Sequence, residues 1–93
     1  LLGANALDIC FVTGFGSNSP KHPHHRPSGA RKAAMPGMLV GGPDSGLHDP
    51  TAEEHLTGAA PAKCYVDIEE SYSTNEICVY WNSPLIALLA MCL

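Results

Sequence analysis

Four carboxylic acids fall within ten residues of the chain, and aromatic residues stand among and after them. The acids are Asp67, Glu69, Glu70 and Glu76, and the aromatic residues occupy positions 65, 72, 80 and 81. Paired carboxylates hydrolyse glycosides, one of them acting as an acid, and aromatic rings offer broad apolar faces to sugar rings. A solvated acidic surface and a calcium loop are the alternatives, although the regular spacing of an EF-hand is absent.

A second cluster holds three histidines and an arginine in the segment "PKHPHHRPS", residues 20–28. In an extended segment alternate residues face the same side, which predicts that His24 and Arg26 point together. Both side chains can donate hydrogen bonds to hydroxyl groups, and an arginine can engage two oxygens at once. The alternatives are a polar surface loop and a metal site that uses His22, His24, His25 and cysteines.

Ser73 and Glu76 lie three residues apart before an apolar run, which is the spacing of a helical capping box. In that interpretation the Glu76 side chain accepts a hydrogen bond from the backbone N–H of Ser73. In the other interpretation Glu76 is a catalytic acid, and its carboxyl faces an open cleft near His24 and Arg26. The two interpretations predict different surroundings for one carboxyl group.

Two long segments of the chain resemble the two signatures of glycoside hydrolase family 9 cellulases. "FVTGFGSNSPKHPHHRPS" is similar to the histidine signature, which ends in P-H-x-R and is matched here by Pro23, His24 and Arg26. "YVDIEESYSTNEICVYWNSPLIALLA" is similar to the acidic signature. Its matching residues, at the same spacing, are Tyr65, Asp67, Tyr72, Glu76 and Asn82. Because "GMLVGGPDSGLHD" also resembles the linking loop, the resemblance covers nearly the whole chain.

The resemblance implies part of an (α/α)6 barrel that hydrolyses β-1,4-glucans, such as cellulose and cello-oligosaccharides, with inversion, as an endoglucanase does. It implies that Glu76 is the general acid and that Asp67 supports activity by orienting the site. It further implies that His24, counted with the catalytic residues, and Arg26 contact the glucosyl unit beside the scissile bond. The remaining predicted substrate-binding residues are Tyr72 and Trp81.

Inversion also needs a second carboxylate, which activates water on the far side of the bond. In the resembled family this base lies in an N-terminal motif of the D-A-G-D type, and these residues contain no such motif. We therefore expect the chain alone to be inactive and the missing N-terminal part of the domain to be its partner. The alternative is a non-catalytic carbohydrate-binding or structural segment. No cofactor or metal ligand is assigned, and calcium is considered only for a full domain.

The composition limits which elements can hold these residues. With 93 residues, nine of them Gly and eight Pro, the chain is one small, loop-rich unit at most. A net charge of −4 with only five Lys and Arg residues argues against nucleic acid as a partner. The apolar run at residues 84–93 is too short to span a bilayer. The opening residues lack a signal-peptide pattern, so a secreted, extracellular location is expected from the resemblance alone.

The last segment has the apolar spacing of a helix over residues 77–93, which either kinks at Pro84 or restarts there with Ser83 as its cap. Its second half is apolar nearly all round, which favours burial between other helices. Residues 17–64 and 65–76 are predicted to be loops. Both ends of the sequence look cut, so we expect residues 1–93 to be the C-terminal segment of a single glycoside hydrolase catalytic domain, all-α and ending in a buried helix.

Four cysteines stand far apart in the sequence, without a C-x-x-C pair. They are Cys10, Cys64, Cys78 and Cys92. A structural zinc site is therefore not indicated. Two disulfides would satisfy the count, but the apolar neighbours of each cysteine favour free, mostly buried thiols.

Overall fold

The computed structural model describes all 93 residues, and its regular structure is helical. The elements are α1 (Arg26–Arg31), α2 (Pro50–Leu56), a 3-10 turn (Pro61–Lys63), α3 (Tyr72–Asn75) and α4 (Val79–Met91). No extended strand forms, and the strand-like contacts are isolated β-bridges between connecting segments. The prediction of an all-α, loop-rich chain is confirmed.

The prediction that residues 17–64 form only loop is wrong, because α1 and α2 lie within that segment. Helix α2 follows Asp49, whose carboxylate accepts a hydrogen bond from the Ala52 N–H at 2.7 Å, and Pro50 takes the first helical position. Both are strong helix-start signals, so the sequence contained the information. Helix α1 also has a proline in its first turn. Its C-terminal cap is Lys32, a residue in the left-handed conformation with φ of 54°.

Helix α4 begins at Val79, so the alternative in which the helix restarts at Pro84 with Ser83 as its cap is wrong. Cys78 caps it instead, with its sulfur accepting a hydrogen bond from the Tyr80 N–H at 3.4 Å. The helix continues through Pro84 to Met91, within two residues of each predicted end.

Burial of α4 is not achieved within these 93 residues, where Leu85 is its only buried side chain. Ile86 is 69% exposed and Met91 is 84% exposed. The apolar cluster that buries Leu85 is small and consists of Cys10 and Val12, with Leu39 packed against it. None of the helices has the length and hydropathy of a membrane span.

An extended run at residues 9–12 organises the core. Ile9 and Phe11 enter one apolar cluster with Val40 and Tyr65, while Cys10 and Val12 enter another with Leu85. This division follows the two-residue period of extended backbone. Antiparallel bridges then link Val12 to Leu39 and Val40 to Ile77. Through residues 39 and 40, the extended run is connected to Ile77, the residue immediately after Glu76.

The prediction of free thiols is confirmed at all four cysteines. Cys10 and Cys64 are buried, Cys78 is half-buried and Cys92 is exposed.

Candidate active site

Residues from three segments line an open cleft of about 360 Å³. Its lining residues are His24, His25, Arg26, Pro27, Glu69 and Glu76. The structure thus brings together the predicted acid and two of the predicted substrate-binding residues. The extended geometry expected for the histidine segment stops before Arg26, because helix α1 begins at that residue. His24 and Arg26 nevertheless line the same wall.

Glu76 directly follows the short helix α3 and has extended backbone angles of φ −72° and ψ 143°. Its backbone forms a parallel bridge with His24. The His24 N–H donates to the carbonyl oxygen of Asn75 at 2.8 Å, which holds the two segments side by side. Glu76 is exposed at the cleft.

The capping-box interpretation is wrong in this structure. Ser73 lies inside α3, and Glu76 ends that helix instead of lying in the first turn of one. The Ser73 N–H and hydroxyl both donate to Asp49 Oδ2, at 2.9 and 2.5 Å. Because Asp49 accepts both hydrogen bonds, the Ser73 N–H has no need of the Glu76 side chain as an acceptor.

His24 presents one ring nitrogen to the protein. Its Nδ1 lies 2.6 Å from the carbonyl oxygen of Glu69. A carbonyl oxygen only accepts hydrogen bonds, so Nδ1 carries a proton and Nε2 remains for a ligand. The ring meets that of Tyr72 edge-on, with centroids 6.1 Å apart. Tyr72 is therefore close enough to extend the same surface.

His25 is tied to the protein in a different way, through Nδ1 at 2.9 Å from the hydroxyl oxygen of Ser28. Across the chain, no three His, Cys, Asp or Glu side chains converge as metal ligands would. The metal-site alternative therefore finds no geometric support in the histidine cluster.

The Asp67 carboxylate binds the backbone of the histidine segment. Its Oδ2 accepts the Lys21 N–H at 2.6 Å, and its Oδ1 accepts the His22 N–H at 2.9 Å. The Asn75 side-chain amide donates a third bond at 3.0 Å. A carboxylate bonded to three protein donors is suited to orienting a segment, and it does not line the cleft with Glu76.

Trp81 lies away from this cleft. Its indole N–H donates to the Leu39 carbonyl at 2.9 Å, and it lines a separate groove with Phe11, Val40 and Pro43. Its neighbour Asn82 also binds Leu39, accepting the N–H at 2.8 Å and donating to the carbonyl at 2.9 Å. Trp81 and Asn82 together fix the backbone of Leu39 against α4. A substrate-binding role for Trp81 stays a prediction.

Sequence reasoning assigned no role to Asp49, which is buried and joins α2 to α3. Burial raises the pKa of its carboxyl, but hydrogen bonds from Ser73, the Ala52 N–H and Ser71 lower it more. The net pKa lies below the ordinary value of 3.8. The cap before Pro50 was a readable signal for the N-terminus of α2. The hydrogen bonds from Ser71 and Ser73 to Asp49 leave no signal in the sequence, because the partners lie more than 20 residues apart.

The family model of glycosyl hydrolase family 9 matches residues 1–89. The chain belongs to glycosyl hydrolase family 9. It is 46% identical to a cellodextrinase of Butyrivibrio fibrisolvens, a match that covers 97% of this chain and 17% of that protein. It is 47% identical to a xyloglucan-specific endo-β-1,4-glucanase of Bacteroides ovatus, and that match covers 95% of this chain and 15% of that protein. The chain thus spans a small part of the family 9 relatives that it matches.

A solved family 9 structure, AaCel9A in complex with cellobiose-like isofagomine, superimposes with a TM-score of 0.95 at 49% identity. The match covers 99% of this chain and 18% of that chain. The structural relatives are (α/α)6 barrel enzymes, so the chain carries part of that fold. The family resemblance and the fold class are both confirmed.

Proposed function

We propose that residues 1–93 form the C-terminal segment of a family 9 catalytic domain that hydrolyses β-1,4-glucosidic bonds with inversion. The cleft in which Glu76 lies beside His24 and Arg26 is the observation that carries this proposal. Relatives named cellodextrinase and endo-β-1,4-glucanase support cellulose-like glucans and cello-oligosaccharides as the substrate class. Cellulose is an insoluble polymer outside cells, which favours a secreted enzyme.

In this proposal the Glu76 carboxyl donates a proton to the glycosidic oxygen as the bond to the leaving sugar breaks. His24 Nε2 and the Arg26 guanidinium hydrogen-bond the hydroxyls of the adjacent glucosyl unit, and Asp67 keeps their segment in place. Tyr72 offers a ring next to His24. A water molecule, activated by a carboxylate of the missing N-terminal part, attacks from the opposite face. Inverting enzymes separate their two carboxyls by about 6.5–9.5 Å.

The anomeric configuration of the first product tests this proposal in the complete domain. With cellotetraose as substrate, proton NMR during the first minutes of hydrolysis should detect the α-anomer at the newly formed reducing end. A β-anomer as first product would contradict inversion, and the absence of cleavage of any β-1,4-glucan would contradict the hydrolase assignment.

The 93-residue chain alone should release no reducing sugar, because it lacks the proposed base. The alternative is a non-catalytic carbohydrate-binding or structural segment, and the uncovered apolar side chains of α4 are compatible with it. Binding of cello-oligosaccharides without cleavage by the complete domain would favour that alternative.

A further inference from the structure

Asn75, which precedes Glu76, is fully buried, with no exposed surface. Its side-chain amide has a protein partner at both ends. The Oδ1 atom accepts the Tyr65 hydroxyl at 2.7 Å. The Nδ2 atom donates to the His22 carbonyl at 2.7 Å and to Asp67 Oδ1 at 3.0 Å. A buried amide satisfied in this way connects three chain segments and has no donor or acceptor left for substrate.

The backbone of Asn75 repeats the connection to the histidine segment. Its carbonyl oxygen accepts the His24 N–H at 2.8 Å, two residues beyond the His22 carbonyl that the side chain binds. Two hydrogen bonds from one residue to positions two apart fix both the register and the separation of the paired segments. Since Glu76 is the next residue, that register decides where its carboxyl lies relative to the His24 ring.

Tyr65 and Asp67 hold the amide from the other side. The Tyr65 ring packs edge-on against Phe11, with centroids 5.2 Å apart, which fixes the position of its hydroxyl. Burial, and then the charge of Asp67, raise the pKa of this phenol, so it stays protonated and donates. Asp67 in turn binds the Lys21 and His22 N–H groups. The amide therefore lies at the centre of a network that begins in the core and ends at the cleft.

We propose that Asn75 is a positioning residue that sets Glu76 against His24 and so controls proton transfer to the leaving group. This role rests on the proposed function and extends it to a residue that does not touch substrate. Truncation of the amide would leave the His22 carbonyl and the Tyr65 hydroxyl without a partner inside the protein, a state that drives local rearrangement. A displacement of about 1 Å can lower catalysis by about 10²-fold.

The test compares two substrates in the complete domain. Cellotetraose requires protonation of its leaving oxygen, whereas 2,4-dinitrophenyl β-cellobioside has a leaving group that departs without a proton. Asn75→Ala should lower kcat on cellotetraose by about 10²-fold, and lower kcat on the aryl cellobioside much less. A residue with a structural role alone would reduce both values by the same factor.

Thr13→Val is the matched control. Thr13 is also fully buried, and its hydroxyl joins two positions of another segment, donating to the Met35 carbonyl and accepting the Met38 N–H. This variant should lower the melting temperature and leave the ratio of the two kcat values unchanged. Thermal melts of each variant identify the temperatures at which all of the proteins compared are folded.

Tyr65→Phe provides a second variant in case Asn75→Ala does not fold, since it removes only the hydroxyl that binds Asn75 Oδ1. Tyr65→Phe should lower the ratio of kcat on cellotetraose to kcat on the aryl cellobioside, and by less than Asn75→Ala does. An unchanged ratio in Asn75→Ala, or in Tyr65→Phe when the alanine variant is unfolded, would overturn the positioning role. Failure of the wild type to cleave either substrate would instead overturn the proposed function.

Discussion

At the scale of single residues, Arg26 is a cleft side chain whose guanidinium has no partner inside the protein. A close acid–base contact joins His48 Nδ1 to Asp44 Oδ2 at 2.8 Å, and no carboxylate lies within ion-pair distance of the Arg26 guanidinium. The residue is exposed at the start of α1 and lines the cleft. A guanidinium held in this way is free to bind the hydroxyls of a sugar.

Arg26→Ala should therefore weaken substrate use without weakening the fold. Loss of a hydrogen bond to a charged group costs about 1.5–3 kcal/mol, or roughly 10- to 150-fold in kcat/KM. The free energy of unfolding should change by less than about 0.5 kcal/mol. Steady-state kinetics on cello-oligosaccharides and denaturant unfolding measure the two effects.

The control for that substitution is Arg31→Ala, which removes the same charge from the other end of α1. Arg31 does not line the cleft, so kcat/KM should stay close to the wild-type value. Equal losses in the two variants would show that general charge, and not contact at the cleft, is responsible.

Three residues of the cleft, which are His24, Arg26 and Glu76, were predictable from the sequence because they belong to local motifs. His24, Arg26 and Glu76 fall at the spacing of two signatures, and the cleft contains all three. The supporting residues were not predictable, because their partners are remote in sequence. Asn75 binds a residue 53 positions away, and no local pattern marks such a pair.

At the scale of elements, Asp49 connects the start of α2 to α3, the helix that leads into Glu76. Its Oδ1 caps α2 through the Ala52 N–H, and its Oδ2 accepts donors from Ser71 and Ser73. One buried carboxylate thus fixes two short helices that would be unstable separately, since helices of so few residues do not persist alone in water.

Asp49→Asn should lower the free energy of unfolding by about 1–3 kcal/mol at neutral pH, since the capping and serine hydrogen bonds lose their charged acceptor. The pKa of Asp49 is lower in the folded state than its ordinary 3.8. Its stabilising contribution is therefore complete above about pH 4 and is lost as the pH falls through the lowered value. Urea unfolding at several pH values should show the difference from wild type shrinking in acid.

Asp44→Asn is the comparison for Asp49. The pKa of Asp44 is also lowered, chiefly by the His48 N–H, but its partners Gly46 and His48 belong to its own turn. It joins no two helices, so its substitution should destabilise the chain less. A larger loss for Asp44→Asn than for Asp49→Asn would contradict the linking role of Asp49.

Helix α4 was predictable at this scale because its thirteen residues form one long run that is rich in apolar side chains. Helix α1 has six residues and α2 has seven, too few for periodicity to show. Only their prolines and the Asp49 cap marked them. The short α3 was predicted to be loop, and Ser73 and Glu76 were interpreted as a capping box. That interpretation failed because the Ser73 N–H and hydroxyl donate to Asp49, a residue 24 positions away.

At the scale of the whole molecule, the chain carries part of the family 9 fold and spans a small share of its relatives' length, 17% and 15% for two of them. The apolar side chains of α4 are mostly exposed. The family signatures predicted the (α/α)6 barrel correctly, whereas composition and periodicity alone indicated only a loop-rich helical chain. The difference arises because the chain covers only 18% of the length of a solved family 9 structure, too little for its own pattern to indicate a whole barrel.

Glu76 is the proposed acid of this site, and Glu76→Gln in the complete domain is the substitution that tests this role. Glutamine keeps the size of the side chain and cannot donate the proton, so kcat on cellotetraose should fall by about 10²- to 10⁴-fold. Calorimetry should find cellotetraose binding nearly unchanged. Glu70→Gln, at an exposed acid outside the cleft, should retain activity. Wild-type turnover by Glu76→Gln would show that Glu76 is not the acid.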